Sequence, residues 1–393
     1  MASSYRIELA AGEVLFREGD APTSAFLIER GRLRVTAERA GLPMLLGDLE
    51  AGALVGEMAV LDDAPRSATA TALEACVLTA VGRDQFAERL EAADPVIRAL
   101  LLGHLARYRR TLATMTGHEQ ARGTPLAQHY ADDAGNKIRL EAHLRDALET
   151  RMLELNLQPI VRISDGSIAG YEALVRWNHP QRGPISPAEF IALAEETSLI
   201  VPVGDYVLRE VCAALRRFCD KDPEHTPFVG LNVSGRQIDD PEFVDRVISH
   251  AREQRIAPSL LKIEVTESLM LDYPKVATFI TRCQRAGICV SLDDFGTGYS
   301  SLSHLHRLEF DSLKLDKAFV QQLADPRCMA IVRAVVSMAG SLQCELVAEG
   351  VETPAQLELL GDLGCQYAQG YLTGKPQTLD SLLTAAAQVR AGV

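Results

Sequence analysis

Five carboxylates and a lysine in the C-terminal part of this 393-residue chain occupy equivalent places, each at or near the end of a short apolar run. They are Glu172 in Y-E-A-L, Glu264 in L-K-I-E-V, the adjacent Asp293 and Asp294 in V-S-L-D-D, Glu349 in E-L-V-A-E, and Lys314, with Asp316, in L-K-L-D. Asn232, Gln158 and Gln369 close three further runs. Oxygen donors without thiolates suit magnesium, manganese or calcium rather than zinc. Brought together, the carboxylates would repel and raise one another's pKa unless cations offset them. Adjacent aspartates can serve two ions at once, and paired metals are a recurrent device for in-line phosphoester hydrolysis. Lys314 adds a cation or proton-transfer group, and Arg176 suits a substrate phosphate.

Such convergence needs a fold that gathers strand ends. From about Ile138 a helix (Leu140, Leu144, Leu148) leads into alternating strand-like and helix-like stretches that run to the C-terminus. Repeated strand–helix units predict a (β/α) barrel over 138–393, with polar strand ends on one face. The first two strands are joined only by V-R-I-S-D-G-S-I-A, too short for a crossover helix, so one strand should run antiparallel.

The set Y-E-A-L-V-R-W, L-N-V-S, I-E-V-T-E-S, L-D-D-F-G-T-G-Y-S-S-L, L-K-L-D, V-A-E-G-V-E-T and Q-G-Y-L resembles the EAL family of cyclic di-GMP phosphodiesterases. The resemblance implies a modified TIM-like barrel that opens cyclic di-GMP to linear pGpG with two Mg²⁺ or Mn²⁺ ions. It places Glu172, Asn232, Glu264 and Asp293 on one ion, and Asp293, Asp294 and Glu349 on the other. Lys314 would orient or deprotonate the attacking water, which makes Lys314, Glu172, Glu349 and Glu267 the catalytic set. Glu267 resembles the glutamate that braces the D-D-F-G-T-G loop, although a helix cap is the plain alternative. Gln158, Leu174, Arg176, Asp316 and Gln369 would line the substrate. Asp316 reads equally well as a salt-bridge partner, and Trp177 and Glu352 read as core and as a loop anchor. Phe-Gly-Thr-Gly reads as a mobile loop that positions the two aspartates.

Residues 6–82 alternate short β-like runs with glycine turns, which predicts a small antiparallel sandwich or roll. In G-E-M-A-V-L-D-D-A-P-R-S-A, the turn Gly56-Glu57-Met58-Ala59 can offer backbone N–H groups to a phosphate. Arg66 can pair with that phosphate, Ser67 adds a hydroxyl, and Glu57 can accept from a ribose hydroxyl. A surface loop with an internal Glu–Arg pair is the bland alternative. With the β pattern before it and the helix after it, the segment resembles the phosphate cassette of cyclic-nucleotide-binding domains of the catabolite-activator group. That implies a β-roll over 1–95 and cAMP or cGMP as effector, with Arg-Ser-Ala closer to cAMP-responsive members, and a base contact from Thr111 or Thr114. The series Ile97, Leu101, Leu105, Tyr108, Leu112, Met115 approximates a heptad seam, which suits a dimerising helix or one packed on its own domain; the resemblance implies a lid and homodimer helix in 96–137. Within that segment R-Y-R-R reads as a solvated face and 117–136 as a linker.

The net charge of −13 argues against a nucleic-acid-coating role, and no helix-turn-helix segment follows the N-terminal domain. There is no apolar leader and no run of about 18 apolar residues. The eight cysteines lack C-x-x-C spacing, and His304-x-His306 has no zinc-pair spacing; together these readings predict a cytoplasmic protein. A catalytically inactive receptor for both nucleotides is the competing reading of the whole chain.

Overall fold

The computed structural model describes residues 6–39, 41–62, 64–116, 125–296 and 307–384. Two compact units divide the chain at Leu140/Glu141.

The first unit contains β1 (Arg6–Leu9), β2 (Val14–Phe16), β3 (Ser24–Arg30), β4 (Leu33–Arg39), β5 (Leu42–Leu49), β6 (Leu54–Val55), α1 (Glu57–Leu61), β7 (Thr69–Ala72), β8 (Cys76–Gly82), α2 (Arg83–Glu91) and α3 (Pro95–Thr116). The strands form two four-stranded antiparallel sheets, β1-β8-β3-β6 and β2-β7-β4-β5. Short strands with alternating apolar residues can bury only one face each, and Phe26, Ile28, Leu33, Val55, Ala70, Cys76 and Leu78 form the shared core. Gly31, at φ +92°, turns β3 into β4, where an added Cβ would stand 2.6 Å from the Ala75 carbonyl oxygen.

Helix α3 is capped by Asp94, whose Oδ1 accepts from the N–H groups of Val96 and Ile97 at 2.8 and 3.2 Å. The heptad series divides. Leu105 and Leu112 are buried, whereas Ile97, Leu101, Tyr108 and Met115 are exposed. Part of the segment read as a linker is helical, because α4 (Pro125–Thr150) begins well before Ile138. Pro125 starts that helix, where a fixed φ and a missing N–H cost nothing. Residues 117–124 lie outside the described residues, as do the rest of the D-D-F-G-T-G-Y-S loop beyond Gly296, His304 and His306.

The second unit holds β9 (Leu153–Arg162), β10 (Ile168–His179), β11 (Gly183–Ile185), α5 (Pro187–Glu196), α6 (Ile200–Lys221), β12 (Phe228–Asn232), α7 (Gly235–Ile238), α8 (Phe243–Glu253), β13 (Leu261–Thr266), α9 (Tyr273–Arg285), β14 (Cys289–Phe295), β15 (Ser312–Leu315), α10 (Lys317–Gln321), α11 (Pro326–Ser341), β16 (Glu345–Ala348), α12 (Pro354–Leu363), β17 (Tyr367–Gln369) and β18 (Gln377–Thr378). Eight of these strands close a barrel in the order β9-β10-β12-β13-β14-β15-β16-β17, with β17 returning to β9. The nine-step hairpin register from Ile168↔Val161 to Trp177↔Leu153 makes β9 antiparallel to β10, and β9 is antiparallel to β17 as well. Every other barrel neighbour is parallel.

Two strand-end expectations change. Because β9 is reversed, its C-terminal end lies at the opposite mouth, and Gln158 sits mid-strand opposite Glu172. Glu172 is also mid-strand, since β10 overshoots the barrel to pair with β11. Among the described residues no helix is long and apolar enough to cross a membrane.

Replacing Gly31 by alanine should cost about 1–3 kcal/mol through the forced left-handed backbone. Differential scanning calorimetry should show the loss in the β-roll transition, and an unchanged transition would contradict the close approach to Ala75.

Candidate active site and nucleotide cavity

The parallel strands of the barrel deliver their last residues to one mouth. Lys314, on β15, is almost fully buried. Its Nζ lies 2.8 Å from Glu264, 3.1 Å from Asp293, 2.7 Å from Glu349 and 3.6 Å from Glu172. Burial alone would favour a neutral amine, but the surrounding carboxylates win and hold the ammonium well above the usual lysine range. The carboxylates respond unequally. Burial, with Glu172 and Asp293 nearby, pushes Glu264 up to about 8 despite Lys314. Burial, with Asp293 and Glu172, likewise pushes Glu349 up to about 7. Glu172 is buried too, yet its net shift is downward, because Lys314 and three hydrogen bonds favour the anion. Two of those bonds fix its orientation: Asn232 Nδ2 donates to Oε1 at 3.0 Å and Gln369 Nε2 to Oε2 at 2.5 Å.

Two groups of carboxylates have the spacing of cation ligands: Glu172, Glu264 and Asp293, and then Asp293, Asp294 and Glu349. Consecutive strand residues point to opposite faces, so the pairing of Asp293 with Asp294 needs a local device. Asp294 adopts φ 55°, and the register between β14 and β15 breaks between Leu292 and Phe295. This re-aims Asp294 into the cluster. Burial first, then Asp293 and Asp316, raise its pKa. Glu267 opens a 3₁₀ turn after β13, and its Oε2 accepts from the Gly296 N–H at 2.7 Å, bracing the end of β14.

Two carboxylate oxygens, Oε1 of Glu264 in the cluster and Oε1 of Glu267 behind it, are buried without a hydrogen-bond partner among the described residues; the first bears on the cluster's chemistry. Oε1 of Glu264 faces β12 where Gly230 leaves room; an added Cβ there would stand 2.2 Å from it. An orphaned carboxylate oxygen inside an acidic cluster fits a divalent cation.

Above the cluster lies a cavity of about 370 Å³ lined by Gln158, Glu172, Leu174, Asp293, Asp294 and Glu349. Gln369 also lines it, as do Lys317, Gln321, Gly350, Glu352, Gly370 and Tyr371, and these last six the strand-end pattern did not find. Gln369 also donates to Gln158 Oε1 at 3.2 Å. Arg176 and Asn232 line an adjacent, more apolar cavity of about 510 Å³ that shares Leu174. Among the described residues Asp316 makes no ion pair; its Oδ1 caps α10 by accepting from the Ala318 N–H at 2.8 Å. Trp177 is core, 1% exposed.

The β-roll encloses a cavity of about 540 Å³ whose wall includes Gly56, Glu57, Met58, Ala59, Arg66 and Ser67. Arg66 is buried, donating to the Gly56 and Ser24 carbonyls at 2.5 Å each and stacking over Phe16 at 4.3 Å. Burial depresses its pKa and raises that of Glu57. Gly56 is obligatory, since a Cβ would meet Arg66 at 2.5 Å and its φ is +77°. Helix α3 contributes Leu101, His104, Leu105, Tyr108 and Leu112. Thr111 does not line this cavity; it is exposed, and its hydroxyl donates to the Arg107 carbonyl, as that of Thr114 does to Arg110. Arg109 is also not simply solvated. It makes a bidentate pair with buried Asp62, Nη2 to Oδ1 at 2.9 Å, and donates to the Pro65 carbonyl.

Barrel, acidic mouth and β-roll cavity together define a metal-site barrel joined to a cyclic-nucleotide-type roll. The EAL domain family matches residues 141–376 and the cyclic nucleotide-binding domain matches residues 6–93. The chain belongs to the EAL domain family and carries an N-terminal cyclic nucleotide-binding domain. The solved structure of the EAL enzyme Bd1971 in a cGMP-bound form aligns over 97% of this chain and 99% of that one, with 31% identity and a TM-score of 0.81. A form of Bd1971 with cAMP and cyclic-di-GMP bound gives the same values. The bifunctional diguanylate cyclase/cyclic di-GMP phosphodiesterase MucR of Pseudomonas aeruginosa is 39% identical over 291 residues, covering 69% of this chain and 42% of MucR. The cyclic di-GMP phosphodiesterase NbdA of the same organism is 41% identical over 252 residues, 63% of this chain and 32% of NbdA. The chain thus spans less than half the length of these curated relatives.

The raised carboxylates set a pH dependence. A carboxyl group with a higher pKa folded than unfolded binds more protons in the folded state, so stability falls as pH rises between the two values. With chelator present, the barrel's melting temperature should fall from about pH 4.5, the ordinary glutamate range, to about pH 8, the folded value of Glu264. Millimolar Mg²⁺ should remove most of that fall, because a bound cation replaces the protons. A pH-independent melting temperature in chelator would contradict this electrostatic picture.

Proposed function

We propose that this chain hydrolyses cyclic di-GMP to linear pGpG at the barrel mouth, and that a cyclic mononucleotide in the β-roll cavity regulates it. The observation that carries the catalytic reading is the buried carboxylate cluster around Lys314, with its unpartnered Glu264 oxygen, beneath an open cavity. Glu172, Asn232, Glu264 and Asp293 would hold one divalent ion, Mg²⁺ or Mn²⁺, and Asp293, Asp294 and Glu349 a second. Bound there, such ions supply Lewis acidity and an activated water.

The protein's own part is positioning. Asn232 and Gln369 orient the Glu172 carboxylate, and Glu267 holds the backbone just after the paired aspartates. Lys314, charged in this arrangement, orients the water and offsets charge rather than acting as the base. Leu174, Gln158, Arg176 and Gln369 border the substrate space, and Asp316 supports it by capping α10.

In the β-roll, Arg66 and Ser67 would face the cyclic phosphate, Gly56 to Ala59 would supply N–H donors, and Glu57 would meet the ribose. cAMP is the preferred effector on the Arg-Ser-Ala sequence, with cGMP the alternative; Bd1971 has been solved with each. The base contact is assigned to α3 through His104 and Tyr108 rather than Thr111. The exposed Ile97, Leu101, Tyr108 and Met115 of α3 support pairing with a second copy, which light scattering would test.

The direct test is steady-state turnover of cyclic di-GMP with Mg²⁺ or Mn²⁺. Wild-type protein should release pGpG, and Glu172→Ala should lower kcat at least 100-fold while the protein remains folded. Tight binding without turnover would instead favour an inactive receptor. Adding cAMP or cGMP should change the rate, and Arg66→Ala should abolish that response and leave basal turnover within about two-fold. A rate indifferent to both nucleotides would remove the regulatory half of the proposal.

A further inference from the structure

Strand β10 carries Glu172 and Arg176 and then continues through Trp177 to His179, which is 7% exposed. Backbone N–H groups of Gln181 and Arg182 both donate to His179 Nδ1, each at 3.1 Å. That nitrogen therefore bears no proton, and the neutral ring keeps its hydrogen on Nε2. Nε2 lies 2.9 Å from Nδ1 of His143 on α4, so His179 donates and His143 accepts. The tautomers follow from the backbone donors and need no further assumption. His179 is also packed edge-on against Trp177, with ring centres 5.8 Å apart, and Trp177 against Phe190 at 5.8 Å.

We propose that the His143–His179 hydrogen bond is a proton-sensitive clasp by which α4 positions the end of β10, and with it Arg176 and Glu172, for substrate. The functional part rests on the phosphodiesterase reading above. The bond exists only while both rings are neutral. A proton on His179 Nδ1 would face two N–H donors, so the first proton goes to Nδ1 of the half-buried His143. Two N–H groups then face each other and the clasp opens. The groups facing His179 are His143 from α4 and Arg182 from the turn after β10. Arg182 is itself 3.5 Å from Glu189 of α5. On α4, Arg139 and Asp146 lie one turn to either side of His143. Burial, followed by His143 and Arg182, depresses the His179 pKa, which agrees with a ring kept neutral. Helix α4 carries residues of both units, so the clasp lies close to their covalent connection.

Trp177 is the chain's only tryptophan, which supplies a reporter independent of activity. In the full-length protein, Trp177 emission should change in one step as pH is lowered from about 8 to about 5. His143→Asn retains an acceptor for His179 Nε2–H but cannot titrate; its emission should be flat and stay at the wild-type high-pH level. His143→Leu removes the acceptor; its emission should be flat at the low-pH level. At saturating Mg²⁺, KM for cyclic di-GMP in wild type should rise about five-fold with the same midpoint, the loss expected for one hydrogen bond of about 1 kcal/mol. His143→Leu should show that higher KM at every pH, and His143→Asn should hold the lower KM across the step. Flat wild-type emission, or a step that persists in His143→Asn, overturns the clasp. An emission step with no KM step overturns its positioning role. If the wild type turns over no cyclic di-GMP, the phosphodiesterase reading falls while emission still decides the clasp.

Discussion

The barrel mouth is organised around an electrostatic problem: carboxylates that crowd one buried lysine. Glu172, Glu264, Asp293 and Glu349 all approach Lys314 within 3.6 Å, and one ammonium cannot offset them all. The excess appears as raised pKa values at Glu264 and Glu349 and as a buried oxygen without a partner. A site tolerates such strain when a ligand relieves it. Much of the surrounding structure serves to hold this arrangement. Gly230 makes space for Glu264, the left-handed Asp294 brings a second aspartate inward, and Glu267 ties the loop behind it.

The N-terminal unit shows the same economy on a smaller scale. Arg66 is buried, hydrogen-bonded to two backbone carbonyls and stacked on Phe16. Its guanidinium is therefore preorganised at the wall of the cavity, and little side-chain entropy is lost on binding. The Arg109–Asp62 pair ties α3 to the same segment that carries Arg66. A shift of that segment would therefore be felt by α3, the kind of link that regulation requires.

Both halves of the fold were readable in the sequence from local patterns: polar residues close most of the barrel's parallel strands, and glycine turns punctuate the short β runs of the roll. The antiparallel start of the barrel followed from a hairpin too short for a helix. What escaped depended on long-range geometry. Gln158 reaches the mouth from mid-strand because β9 is reversed, and nothing local to L-N-L-Q reports direction. Arg109 looked like part of a solvated face because Asp62 lies 47 residues earlier. Thr111 was chosen by helix position alone, and a shift of three residues along α3 places Tyr108, not Thr111, at the cavity. The helix over 125–136 was hidden by a proline that reads as a breaker but serves as a start.

The central claim is that the carboxylate cluster is a divalent-cation site on which hydrolysis depends. Electron paramagnetic resonance of Mn²⁺ titrated into the full-length protein addresses it most directly, paired with turnover on the same samples. The account predicts two bound ions per chain with a spin-coupled signal, and loss of both signal and cyclic di-GMP hydrolysis in Asp293→Asn. Full turnover in excess chelator, or Mn²⁺ binding undiminished by that substitution, would contradict it.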